Sequence, residues 1–501
     1  MRRSIAQPVF AVLATLAAFA LGGCTSSGLS MAADDVDDTD SDSDDLAPAP
    51  PARNGGVTEL EPADPCERET PASFAVTPAD PDDSVSPVLA RLLLESGRPP
   101  SAEIRVHEFL NYYQADVVPA ADGELHISSA VTERGDGVLG IEVVVSAGTS
   151  FPDRSLNLVL AVDASDAMAG IRIARVRQCC VALAGSLRAG DVVAISSLDT
   201  GADPLLPPYA VDGPGDAHLV AHCNGIGISG PADLSTGLEA AYALADEGRD
   251  GVGLNRVIVF SGGGLAPTVD DVAFTEDAAG GGPFEQVVLI GVGIGDPTAA
   301  DPYDRAALDA LTAAGDGAHL LVDSADEAAA AFGERLSALT DVAVVAPAVE
   351  LRLPPTLTIE TLDGLPLGAL TGLPGAQRLA PGRAVAIHHV AGSCDPAALD
   401  DTAVVRIAAS AIDPATDEVV GDALEAPLAE LVAASSAGPS KRDAVVAYAL
   451  ALRAFGALSP ELALDAAVAA RATVAAAAAA HPGDPDLAEI AALLDAHLAA
   501  L

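Results

Sequence analysis

Two oxygen-bearing side chains follow directly after a strongly apolar run of the chain. In "LNLVLAVDASDAMAG", residues 156–170, the run ends at Asp163, Ser165 comes two residues later, and a glycine-containing loop follows. Carboxylates and hydroxyls are among the oxygen ligands from which a Mg²⁺ site is built. The next residue at the same spacing is Ala167, which has no side-chain oxygen. The loop therefore carries two candidate metal ligands where a third would be expected.

The elements that would position these side chains are short strands and helices. Between residues 151 and 341, helical segments separate five almost wholly apolar runs, "LNLVLAV", "DVVAISSL", "NRVIVFSGG", "QVVLIGVGIG" and "AHLLVD". Strands this apolar are buried on both faces, which predicts an α/β fold with a doubly wound, mostly parallel sheet. Such sheets bind ligands at the carboxyl ends of their strands, so Asp163 and Ser165 are expected at that edge.

Segments with other patterns flank this predicted sheet. Residues 70–150 show two helical stretches and then an alternating hairpin, which predict an N-terminal module. Residues 342–438 alternate again and predict a β-rich module, and residues 439–501 predict Ala-rich helices of high intrinsic propensity. The α/β segment is therefore expected to be inserted between a β-rich module and C-terminal helices.

The second helical stretch within residues 70–150, "IRVHEFLNYY", contains part of a zinc-protease motif. Its "HEFLN" begins like His-Glu-x-x-His, but the fifth residue is Asn111, so the second zinc-binding histidine is missing. The sequence predicts no metalloprotease, and His107 is expected on the surface of a helix.

The N-terminus has the layout of an export signal. Residues 1–23 begin with arginines, continue with an apolar core and end in small residues, as a secretory signal peptide does. The "LGGC" that ends at Cys24 resembles the bacterial lipobox, in which the cysteine is lipidated and anchors the chain to a membrane. Residues 24–69 are rich in Asp, Ser and Pro, and predict a disordered acidic tether.

Charge and motif content exclude several classes of function. With 72 acidic and 25 basic residues, the chain has a net charge of -47 and would be repelled by nucleic acid, so no such partner is expected. The sequence has no Gly-x-Ser-x-Gly elbow, and no Ser, His and Asp residues at a spacing that supports a triad. We therefore expect no enzyme activity.

Five cysteines besides Cys24 would share the oxidising environment of an exported protein. Five is an odd number, so at least one thiol stays free or pairs between chains. A bond between the helical neighbours Cys179 and Cys180 would be strained, and both are expected to be buried and reduced. A bond between Cys66 and Cys394 stays open.

The segment from "LNLVLAVDASDAM" to "FGERLSAL" resembles a von Willebrand factor type A domain. The wider order of segments resembles one subgroup of bacterial lipoproteins with such a domain, in which a "VRVEEFLNYF"-like helix precedes it. "IRVHEFLNYY" matches that helix, and "LAPGRAVAIHHV" resembles part of the subgroup's β-rich C-terminal module. The resemblance covers about residues 70 to 456.

The resemblance implies a divalent-ion site that this chain has lost in part. Family A domains hold the ion, often Mg²⁺, with an Asp-x-Ser-x-Ser loop, a threonine in a second loop and an aspartate in a third. Asp163 and Ser165 match the first loop, but Ala167, Ala232 and Gly262 stand at the other three positions. The site is therefore expected to be degenerate, and no cofactor is expected, Mg²⁺ included.

These features together predict a lipid-anchored cell-envelope protein that acts in binding, adhesion or scaffolding. Its expected place is the outer membrane, on the periplasmic or the cell-surface side, and its expected partner is a protein or another envelope macromolecule. One alternative is a metal-dependent adhesion protein whose site is rebuilt by Asp166 and Asp233. Another is an accessory subunit of an envelope enzyme or channel.

Overall fold

The computed structural model describes most of the chain between residues 54 and 500. The described ranges are 54–59, 72–77, 83–100, 104–114, 117–135, 137–149, 154–199, 203–249, 253–280, 285–366, 373–374, 378–393, 403–434 and 440–500. The predicted signal peptide, Cys24 and the first part of the tether lie outside the described residues, as do Cys66 and Cys394.

The described elements fall into three stretches along the chain. The first holds β1 (Asn54–Glu59), β2 (Ala72–Thr77), α1 (Val85–Glu95), α2 (Val106–Tyr112), β3 (Leu125–Gly135) and β4 (Val138–Ala147). The second holds β5 (Leu156–Val162), α3 (Ile171–Ser186), β6 (Val192–Ser197), β7 (Leu206–Ala210), α4 (Ala217–Gly225), α5 (Leu234–Glu247), β8 (Leu254–Ser261), α6 (Val269–Ala278), β9 (Val287–Ile294), α7 (Ala306–Ala314), β10 (His319–Val322), α8 (Ala325–Ala329) and α9 (Leu336–Thr340). The third holds β11 (Val344–Leu353), β12 (Leu357–Leu362), β13 (Leu365–Pro366), β14 (Leu373–Pro374), β15 (Arg378–Leu379), β16 (Ala384–Ser393), β17 (Val404–Ile412), β18 (Val419–Pro427), α10 (Leu428–Ala434), α11 (Lys441–Ala457), α12 (Pro460–Ala480) and α13 (Pro485–Ala500).

The second stretch forms a six-stranded sheet with helices on both faces. Its strand order is β10-β9-β8-β5-β6-β7, and every pair is parallel except β6 with β7. Leu158 and Leu160 of β5 belong to the core shared with α3, α4 and α8, whereas Val159 and Ala161 belong to the core shared with α5 and α7. The predicted doubly wound, mostly parallel sheet is confirmed.

The strands of the first and third stretches form one antiparallel sandwich. One sheet has the order β14-β1-β2-β11-β17-β18, with β15 beside β11, and the other has the order β13-β12-β16-β4-β3. Ile141 of β4, Leu351 of β11 and Ile387 of β16 share its core. The sequence suggested an N-terminal hairpin module and a separate β-rich module. The structure pairs β2 with β11 and β4 with β16, so the α/β segment is inserted within one sandwich.

Two local predictions differ from the structure. Residues 54–59, assigned to the tether, form β1, because its backbone pairs with β2 through Gly56 to Glu59, a partner that composition does not reveal. His107 is 6% exposed rather than on the surface, because α2 packs between other helices.

Helix α2 packs together with the last three helices of the described chain. Phe109 of α2 meets Tyr448 of α11 edge to face at 5.4 Å, and α12 and α13 complete this core. Among the described helices, α12 alone is long and apolar enough to cross a membrane, with a mean hydropathy of 1.5. One third of that window, 33%, is buried, and α12 packs against α11 and α13. Length and composition alone are weak evidence for a span.

A disulfide joins two helices on one face of the central sheet. Cys180 of α3 bonds to Cys223 of α4, with the Cα atoms 5.4 Å apart. The prediction that Cys180 stays reduced is therefore wrong, because its partner lies 43 residues along the chain and no local pattern marks it. Cys179 is a buried free thiol, as predicted, and burial raises its pKa.

Candidate functional site

The carboxyl edge of the central sheet brings the two predicted ligands together. Asp163 follows β5, is 2% exposed, and its backbone N–H donates to the carbonyl of Phe260 on β8. One carboxylate oxygen accepts the N–H of Ser165 at 3.1 Å, and the other accepts the hydroxyl of Ser261 at 2.9 Å. Because an unpaired buried carboxylate is costly, these two donors stabilise Asp163 with protein groups alone.

The residues at the other positions of the expected site have no side-chain oxygen. Ala167 lies in a short 3₁₀ turn, Asp166–Met168, and is exposed, and Ala232 is exposed in the loop before α5. Asp233, considered for a rebuilt site, caps α5 instead, because its carboxylate accepts the N–H of Thr236 at 3.1 Å.

Gly262 lies where a third-loop aspartate is expected, and a neighbouring side chain fills the space beside it. A Cβ atom on Gly262 would lie 2.6 Å from Cδ of Arg172 and 2.9 Å from its Nε. An aspartate there requires Arg172 to move. The residues present therefore do not fit the octahedral oxygen shell that Mg²⁺ requires.

Arg172 is the residue at this edge that the sequence analysis missed. It stands in the first turn of α3 and is 9% exposed. Its Nη1 donates to the carbonyl of Ala167 at 3.1 Å, and its Nη2 donates to the carbonyls of Asp301 and Pro302 at 3.3 and 3.2 Å. A cation in the first turn of a helix opposes the helix dipole and is therefore unfavourable there. The presence of an arginine at this position, directly after the loop, was the signal in the sequence that pointed to it.

Two exposed aliphatic side chains lie on segments next to the loop that carries Asp163. Ile171 at the start of α3 is 41% exposed, and Ile228 in the loop after α4 is 39% exposed. The N–H of Ser229 donates to the carbonyl of Ala164 at 2.9 Å, which holds that loop against the one after β5. The edge thus presents one isoleucine at the start of α3 and another on the loop after α4.

Two further groups of ligand-type side chains lie away from this edge. Their potential ligand atoms come within 4.8 Å of one another, and the groups are Asp83, His107 and Glu108, and Glu142, His388 and Asp443. In the first group, the Glu108 carboxylate pairs with Arg305 of α7. In the second, Asp443 pairs with Arg134, and Glu142 pairs with Arg442 at 3.1 Å. Guanidinium groups therefore already neutralise Glu108, Glu142 and Asp443, and Asp83 accepts the backbone N–H of His319 at 2.7 Å.

Glu108 of the first group also belongs to a largely buried cluster of charged side chains between α1, α2 and α7, the ionic joint. We define the ionic joint as Glu108, Arg305, Asp309 and Arg105. Arg305 Nε donates to Asp309 at 2.9 Å, and Arg105 Nη2 donates to the same carboxylate at 2.6 Å. The N–H of Ser86 on α1 donates to Glu108 at 2.5 Å. The ionic joint links the N-terminal helices to α7, which packs on the central sheet.

The chain has detectable similarity to known proteins in sequence and in structure. No family model matches it. It is similar to "Uncharacterized protein YfbK" of Escherichia coli (strain K12), with 24% identity over 251 residues, 48% of this chain and 43% of that protein. The chain thus spans less than half the length of this curated relative.

Two solved structures are also similar to the chain. One is a von Willebrand factor type A protein from Catenulispora acidiphila, with 14% identity, coverage of 74% of this chain and 88% of that one, and a TM-score of 0.44. The other is the ArnB paralog VWA2 from Sulfolobus acidocaldarius, with 16% identity, coverage of 74% and 97%, and a TM-score of 0.36.

Proposed function

We propose that this chain, whose central sheet is built like that of von Willebrand factor A domains, binds other proteins at the carboxyl edge of the sheet. Binding there uses no metal ion, and the protein has no catalytic role. The observation that carries the proposal is that Ala167 and Ala232 provide no oxygen, while Arg172 fills the space at Gly262. Without a metal ion at this edge, partners are recognised through its exposed side chains.

The charges at this edge favour a partner with basic side chains. Asp166, Asp301 and Asp304 are exposed on loops that follow β5 and β9. Arg172 is buried and donates to backbone carbonyls, and the exposed Arg98 lies 3.6 Å from Asp301. A partner that offers a carboxylate would be repelled, whereas lysines or arginines around an aliphatic centre would complement both the acids and the isoleucines.

A photo-cross-linker at Ile228, used on isolated membranes, tests this proposal. We expect a cross-link to a basic protein that survives EDTA, weakens as salt screens the charges, and is lost in Ile171→Asp. A cross-linker at Val419, 74% exposed on the sandwich, is the matched control and should not capture that protein. Loss of the cross-link in EDTA, or equal capture from Val419, would contradict the proposal.

We also propose that lipid at Cys24 anchors the protein in the bacterial envelope, on the outer membrane. The "LGGC" sequence motivates this, and the Cys180–Cys223 disulfide supports an oxidising compartment. Cys24→Ser should shift the protein from the membrane to the soluble fraction, as measured by immunoblotting after ultracentrifugation. Unchanged membrane partitioning of the variant would rule out the anchor.

A further inference from the structure

We propose that the guanidinium group of Arg172 takes the place of a divalent ion as the cation that holds the loops of the carboxyl edge together. The Arg172 side chain as a whole contacts three loops at once. Its donors reach Ala167 after β5 and the two carbonyls of residues 301 and 302 after β9, and its stem lies against Gly262 after β8. These loops diverge from separate strands, so a shared central cation restricts all three.

The local charges fit this role. Burial and first-turn placement both disfavour a cation, so Arg172 needs compensating partners. Backbone carbonyls supply three acceptors. Burial would raise the pKa of Asp296, but hydrogen bonds from Thr298 and the charge of Arg172 lower it. Arg175, one turn further along α3, is also buried and donates to the carbonyl of Gly295. Two buried guanidinium groups therefore lie beneath the exposed acidic side chains of this edge.

This role predicts that an ion and Arg172 exclude each other. The triple variant Ala167→Ser, Ala232→Thr and Gly262→Asp restores the missing oxygens but leaves the guanidinium where the new aspartate must go. We expect this triple variant to show no rise in Tm with 10 mM MgCl₂. Adding Arg172→Ala should produce a rise of about 3 °C or more, the scale of a binding stabilisation in a domain of this size. An equal rise in the triple variant without Arg172→Ala would overturn the proposal.

A second measurement keeps the proposal testable if the combined variant does not fold. Arg172→Met keeps most of the stem and removes the cation. Amide hydrogen exchange in residues 165–170 and 301–304 should become at least about tenfold faster, while β5 and β8 stay protected. Arg177→Met, on the same helix, is the matched control, because Arg177 donates to the carbonyl of Ile226, which lies outside both measured segments. Unchanged exchange in both loops of Arg172→Met would overturn the proposal. Hydrogen exchange measures how well the loops are ordered and not whether a partner binds. Its outcome is therefore independent of the proposed function.

Discussion

Glu108→Gln should lower the free energy of unfolding by about 3 kcal/mol, at the lower end of the cost of breaking a buried ion pair. Glu108 is fully buried, and its carboxylate receives both Nη groups of Arg305, which is itself 7% exposed in its side chain. Glutamine keeps the shape but leaves the buried guanidinium with Asp309 as its remaining acid. Urea unfolding followed by circular dichroism measures the change, since the chain has no tryptophan.

The pH dependence of this effect has a defined sign. Burial would raise the pKa of Glu108, but the charges of Arg305, His107 and Arg105 lower it from 4.5 to about 2. A lowered pKa stabilises the fold above the unfolded-state value and loses that effect as pH falls through the folded-state value. The difference between wild type and Glu108→Gln should therefore be full above pH 4.5 and shrink towards pH 2.

The matched control is Glu239→Gln, an exposed glutamate on α5. Its effect should stay within about 0.5 kcal/mol, as for ordinary surface substitutions. If the two variants were equally stable, the ionic joint would contribute nothing to the fold.

Removing the Cys180–Cys223 disulfide should cost about 4 kcal/mol by the loop-closure relation for 43 residues. The bond ties α4 to α3 beneath the loop that carries Ile228, and Ile226 in that loop accepts a hydrogen bond from Arg177 at 2.7 Å. The double variant Cys180→Ala and Cys223→Ala avoids burying a new polar group. Its unfolding in urea should move to lower concentration than that of the wild type.

Cys179→Ala separates the disulfide from simple loss of core packing. It removes a neighbouring buried sulfur but should keep the bond, so a non-reducing peptide map should still contain the Cys180–Cys223 linkage. The linkage should disappear in Cys180→Ala alone. A bond to Cys223 that survived in Cys180→Ala and was lost in Cys179→Ala would instead identify Cys179 as the bonded residue.

The central sheet was predictable because its signals are local. β5, β8 and β9 are buried at every position, and such runs stand out in the sequence as nearly continuous apolar segments. The sequence also shows that Ala167, Ala232 and Gly262 have no side-chain oxygen, from which the resemblance predicts a degenerate site. These positions are found by counting along the sequence from a predicted strand, so no knowledge of tertiary contacts is needed.

The remaining features depend on contacts between distant parts of the chain. Pairing of β2 with β11 decides that one sandwich replaces two modules, and alternation within each strand cannot reveal that partner. Arg172 reaches carbonyls of residues 301 and 302, whose position depends on the loop after β9. Ser261 also went unnoticed, although it lies fully buried and donates to Asp163. Each of these features can be predicted only when it is known which strands pair and which loops lie next to one another.

The most direct test of the central claim is the effect of Mg²⁺ on the thermal unfolding of the wild-type protein. Purified protein is first treated with EDTA and dialysed, and then heated with 0 to 10 mM MgCl₂, with NaCl of equal ionic strength as the control. Asp163 and Ser165 alone cannot replace the hydration shell of the ion, so Tm should stay within about 1 °C. A stabilisation above about 2 kcal/mol, which corresponds to an ion at about thirty times its Kd, would contradict a metal-independent site.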